Sequence, residues 1–167
     1  MKDYVPSRIL FHIYNAFILS HLSYCIVVWA NTYSCHLQKL FLLQKKAIRF
    51  CTNSHYLSHT SPLFKQLNTL KLFDLHILKI ASLMQRLSSN TLSHYLMNMF
   101  TLNCNVHAHN TRTCHKFHRL VYNNDLSKFS LRFTGPELWN NLDFRYYNIK
   151  FNNTFNRQYK KYLIDKY

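Results

Sequence analysis

Between Arg8 and Lys39 the chain carries no Asp, Glu, Lys or Arg, and residues 9–30 are mostly apolar. The run is long enough to cross a bilayer. His12, Asn15, Ser20, His21 and Ser23 interrupt it, however, and each would need a polar partner in lipid. The pattern therefore predicts a helix apolar nearly all round, of the kind buried at the centre of a bundle. An anchor at residues 9–30 of a small membrane protein is the alternative. The next segment has a cleaner period. Leu37, Leu40, Phe41, Ala47, Ile48 and Cys51 recur at steps of three and four, which predicts one buried helix face with Ser34 as its N-cap. Lys39, Lys45, Lys46 and Arg49 lie mainly off that stripe.

A polar, histidine-bearing loop follows at residues 52–61, and Pro62 suits the first turn of a short helix. Phe73, Ile77, Ile80, Met84 and Leu87 mark a long helix that Ser88, Ser89 and Asn90 bring to an end. A short helix is expected over residues 92–100. Through residues 101–134 the helical period is lost, and residues 128–133 alternate in a weakly strand-like way. Gly135 and Pro136 punctuate the chain, with Pro136 placed to open a helix carrying Leu138 and Trp139. Phe151, Phe155, Tyr159, Tyr162 and Leu163 define a terminal amphipathic helix. The expected fold class is mainly α: a small helical bundle, an irregular segment with little strand, and a C-terminal helical element.

Composition narrows the chemistry. The 167 residues hold 21 Lys+Arg against 6 Asp+Glu, a net charge of +15, with 48% hydrophobic residues and a single glycine. That apolar content offsets ordering entropy and excludes a wholly disordered chain. One glycine cannot build a P-loop or a dinucleotide fingerprint, both of which need several close together. The charge points to a polyanion, most simply nucleic acid. Five cysteines without a CxxC pair, and an N-terminal stretch lacking an apolar h-region before small residues, imply reduced thiols and an intracellular, unsecreted protein, nuclear or cytoplasmic.

Asp3, Asp74, Asp125, Asp143 and Asp165 are never adjacent, which argues against a two-metal polymerase centre. Cys104, His107, His109, Cys114, His115 and His118 hold enough ligands for zinc. Their spacing matches no standard finger, so a solvated histidine-rich loop and no cofactor are expected. Cys51 near His55 has no nucleophile motif around it. Trp29 and Trp139 read as core residues. The basic residues Lys39, Lys45, Lys46 and Arg49, with Arg112 in "HNTR", are the candidate nucleic-acid contacts.

Several strings, taken in order, resemble one family. "FHIYNAFILSHLSYCIVVWANTY" precedes "LQKLFLLQKKAIRFCTNSHYLSHTSPLFKQLNTLKLFDLH", and "NVHAHNTRTCHKF", "FSLRFTGPELWNNL" and a tail with Phe155, Arg157, Lys160, Lys161 and Leu163 follow. The set resembles the thumb and C-terminal region of non-LTR (LINE, jockey-like) retrotransposon reverse transcriptases. The family has Gly where this chain has Cys25 and Ala30, an aromatic at His109 and usually Pro at Asp143. The resemblance implies a thumb-like bundle at 1–100, a connection at 101–134 and a C-terminal element at 135–167. It also implies a fragment of an RNA-directed DNA polymerase that is not itself an enzyme. Its partners would be RNA or an RNA–DNA hybrid, held through the phosphate backbone, and the palm and fingers of the polymerase, with no membrane. The other reading is a non-functional remnant of a degraded element.

Overall fold

In the computed structural model the chain is mainly α-helical, and residues 5–106, 109, 112–124 and 126–167 are described. Among them the lone strand-like pairing is an antiparallel bridge between Leu102 and Phe117. The chain forms two compact units, residues 1–76 with 160–167 and residues 77–159.

The first unit begins with the uncharged run, which does not make the single, wholly buried helix expected. It runs as helix from Ser7 to Ser23, through α1 (Ser7–Ile13), a π-helical segment (Tyr14–Leu19) and α2 (Ser20–Ser23), and breaks at Tyr24 and Cys25 before α3 (Ile26–Trp29). Leu10, Tyr14, Ile26 and Ala30 are buried, while Ile9, Ile13, Phe17 and Val28 are exposed. One side is covered because α1 and the π segment pack on α4 (Ser34–Cys51). No described helix is long and apolar enough to cross a membrane. Trp29 is only half-buried and donates its indole N–H to the Tyr24 carbonyl at 2.7 Å.

Helix α4 follows its periodicity with two changes. Its N-cap is Tyr33 rather than Ser34, and its buried face is Leu37, Phe41, Gln44, Ile48 and Cys51, leaving Leu40 exposed. Gln44 is 1% exposed. Its Nε2 donates to Tyr14 Oη and to the Leu70 carbonyl, both at 3.0 Å, and its Oε1 accepts from the Leu72 N–H at 2.9 Å. Helix α5 (Thr60–Gln66) carries Pro62 in its first turn. Helix α6 (Leu72–Ser88) starts in this unit, where Phe41 meets Phe64 and Phe73 at ring separations of 6.4 and 5.4 Å.

The second unit contains the rest of α6, then α7 (His94–Met97), α8 (Asn103–Val106) and α9 (Leu131–Asn140). A 3₁₀ turn (Leu126–Phe129) precedes α9, so residues 128–133 form no strand. Ser130 caps α9 by accepting the Arg132 N–H at 3.3 Å, and that cap outweighs the alternating pattern. Pro136 consequently lies inside the helix rather than opening it. Gly135 allows a close approach there: a Cβ at this position would lie 2.9 Å from Met84 Sδ. The Asn140 amide pairs with both backbone groups of Phe117, at 2.8 and 3.1 Å. Trp139 (3% exposed) packs edge-on to Tyr147 and against Phe155. A second 3₁₀ turn (Phe144–Tyr146) leads to α10 (Asn152–Asp165). On α10 Phe155, Tyr159, Leu163 and Ile164 are buried, whereas Phe151 and Tyr162, expected on the apolar stripe, are exposed.

Helix ends show how so few glycines suffice. Asn53, Asn68 and Asn90 hold positive φ just after α4, α5 and α6. At each, the next N–H reaches back to a carbonyl in the last turn (Ser54 to Arg49, Thr69 to Phe64, Thr91 to Arg86, all 3.0 Å), the Schellman arrangement. Cys25 also sits at φ 46°, but with an exposed side chain and none of asparagine's tolerance for that region.

Two stability changes follow. Gln44→Leu keeps the volume but strands a buried N–H, a carbonyl and a hydroxyl, and should cost about 3 kcal/mol in urea unfolding. Cys25→Gly relieves the left-handed strain at no cost in burial and should raise stability by about 0.5–1 kcal/mol in thermal unfolding.

Candidate nucleic-acid interface

The four basic residues of α4 project from a helix whose other side is built into the first unit's core. Lys39 and Lys46 are exposed, and their seven-residue spacing puts them on nearly the same line, about 10 Å apart along the axis. That distance spans about three phosphates of one strand in a B-form duplex. Lys45 and Arg49 are half-buried one turn apart. Lys45 Nζ lies 4.3 Å from the centre of the Phe41 ring, and Arg49 Nε donates to the Ser58 carbonyl at 2.9 Å, tying the connection at residues 52–59 to the helix. Among the described residues no carboxylate pairs with any of the four. Arg112 belongs to the second unit and is exposed in a turn, whereas the other four lie on α4 in the first.

Lys45 and Arg49 also line a cleft of about 450 Å³, together with Ser58, Lys71 and Asp74. Sequence reasoning missed Lys71. It immediately precedes α6, and what equips it for the cleft is Tyr167, ninety-six positions away. The Tyr167 hydroxyl donates to Asp74 Oδ2 at 2.6 Å and accepts the Lys71 N–H at 2.9 Å. The Lys71 ammonium rests 3.9 Å from the centre of the Tyr167 ring. Burial pushes the Lys71 pKa down, Asp74 opposes this, and the Lys45 charge adds to the fall. Burial and the bond to Asp74 together push the Tyr167 phenol well above its ordinary value.

The other candidate chemistry is dispersed. Among the described residues no group of three or more metal-ligating side chains comes together. Cys104, His109 and His115 are exposed, Cys114 and His118 are half-buried, and His107 lies outside the described residues, as do Asp3 and Asp125. Cys51 is buried with its Sγ toward the Leu10 carbonyl, and burial pushes its thiol pKa up. His55 is exposed and packs on Tyr56. Asp143 pairs with Arg145 at 2.7 Å and Glu137 with Arg119 at 3.3 Å, both at the surface. The α4 ridge and the cleft beside it offer fixed positive charge.

No protein-family model, curated protein or solved structure matches this chain.

Tyr167→Phe tests the support beneath Lys71. It removes the bond to Asp74 and the acceptor for the Lys71 N–H while leaving the ring in place. Thermal unfolding should show a loss of about 1–2 kcal/mol, the range for hydrogen bonds involving charged groups.

Proposed function

We propose that this chain is the thumb-like part of a non-LTR retrotransposon reverse transcriptase. In this reading it holds RNA or an RNA–DNA hybrid by its phosphate backbone for a polymerase body outside these 167 residues. The observation that carries the proposal is the α4 ridge: four cations with no carboxylate partner among the described residues, on a helix anchored from behind, in a chain of net charge +15. Fixed cations of this kind neutralise phosphates without reading bases, which is what positioning a duplex requires.

Two backbone positions support the family reading. The family has Gly where this chain has Cys25, and Cys25 occupies the left-handed region that favours glycine. It usually has Pro at Asp143, whose φ of −62° is the value a proline ring imposes. Ala30, by contrast, sits at φ −83° and needs no glycine. The function is a grip and not a catalyst, because two-metal polymerisation needs clustered carboxylates and the sequence has no adjacent acidic pair.

Fluorescence anisotropy with a labelled RNA–DNA hybrid tests the grip across a salt series. Binding should weaken steeply, with a log–log slope near −3 to −4 for about four phosphate contacts, and with little sequence preference. Replacing both Lys39 and Lys46 by Gln should flatten that slope by about 2. Binding indifferent to salt would overturn the reading. So would primer extension by the purified chain unaided.

A further inference from the structure

We propose that the cleft between α4, residues 58–61 leading into α5 and the start of α6 is a binding site for a phosphate dianion. The dianion would be either the terminal monoester of a nucleic-acid strand or inorganic phosphate. The proposal shares Lys45 and Arg49 with the grip but concerns a different ligand group.

Three cations, Lys45, Arg49 and Lys71, line one cavity with a single carboxylate, Asp74. The balance is three positive charges less one negative, or +2. Asp74 is already engaged, since its Oδ2 accepts the Tyr167 hydroxyl. The two ammonium groups each rest over an aromatic ring, and neither donates to a protein oxygen among the described residues. Arg49 commits its Nε to Ser58, leaving its terminal nitrogens for a ligand. Ser58 and the buried Thr60 also line the cleft, and its far wall is the first turn of the 17-residue α6, the positive end of that helix dipole.

Like charges held together in a half-buried cavity repel, and burial makes the repulsion harder to screen. An anion removes that cost. A duplex phosphodiester carries one charge on a convex surface, which suits the exposed Lys39–Lys46 line. A monoester carries about −1.5 to −2 and has three free oxygens, which matches a concave site of charge +2.

The test compares 5′-phosphorylated with 5′-hydroxyl oligothymidylate, labelled at the 3′ end, on the full chain. The phosphorylated strand should bind about tenfold tighter, and Lys45→Gln or Lys71→Gln should shrink the difference to within about twofold. Should Lys71→Gln fail to fold, Lys45→Gln carries the test alone. Inorganic phosphate is titrated in parallel, followed by the amide resonances of residues 58–61 and 71–74. Shifts that Lys45→Gln abolishes, without a strand preference, support the same site with free phosphate as its ligand. The proposal is overturned if neither probe responds, or if the preference survives intact in the variants. In either failure, salt-steep binding of the hydroxyl strand would leave the backbone grip standing.

Discussion

A primary amide at position 44 occupies a place where the helical period demands an apolar side chain, and three parts of the first unit are fastened to it. Tyr14 brings the π segment, Leu70 the end of the α5 connection and Leu72 the first turn of α6. The Leu72 N–H is one of the donors that a helix start leaves without an intrahelical partner, and in a buried setting it would cost about 1–3 kcal/mol unmet. Gln44 meets it, and in doing so sets where α6 begins. Lys71 and Asp74, which flank that start, inherit their positions from the same amide. The inner face of α4 therefore governs the cleft as well as the core, and its outer face can present fixed cations only because the inner one cannot rotate.

Twenty-one cations against six carboxylates leave most positive charge without an ionic partner. Aromatic faces take up part of the task. Lys45 sits over Phe41, Lys71 over Tyr167 and Lys166 over Tyr162. In a chain that is 16% aromatic such partners are plentiful. A ring quadrupole differs from a carboxylate in one consequential respect. It orients a cation, for about 0.5–1 kcal/mol at exposed sites, without cancelling its charge. The side chains are thus held in place while the field they project remains available to a polyanion. Replacing these rings by carboxylates would hold the lysines equally well and remove the attraction.

Much of this could be read from the sequence. The α4 stripe, the long α6 and the terminal helix all follow from apolar residues at three- and four-residue steps, and the α4 cations were identifiable as the residues off that stripe. What escaped detection depends on partners far along the chain or on caps that compete with periodicity. Gln44 reads as a polar break until Tyr14 and Leu72 are seen around it. Residues 128–133 alternate like a strand, yet a serine before an apolar residue starts a helix there. Pro136 is tolerated inside α9 although it removes one backbone bond, with Gly135 against Met84 on one side and buried Trp139 on the other. Lys71 gains its surroundings from the last residue of the chain, a relation no local window contains.

Scarcity of glycine explains a further regularity. Left-handed helix ends normally fall to glycine, because a Cβ there meets the following carbonyl. Three of these ends are filled by asparagine, whose short amide tolerates the region, and the backbone bonds of the motif are intact at all three. The single glycine is not used for a turn at all; it sits within α9, where a Cβ would have to push the buried Met84 side chain aside. The glycine thus serves close packing, while the left-handed positions are left to asparagine. Cys25 is the exception among the left-handed positions, with neither asparagine's amide nor any burial to offset its strain. Its backbone conformation is that of a glycine position, and the strain lies in the side chain occupying it.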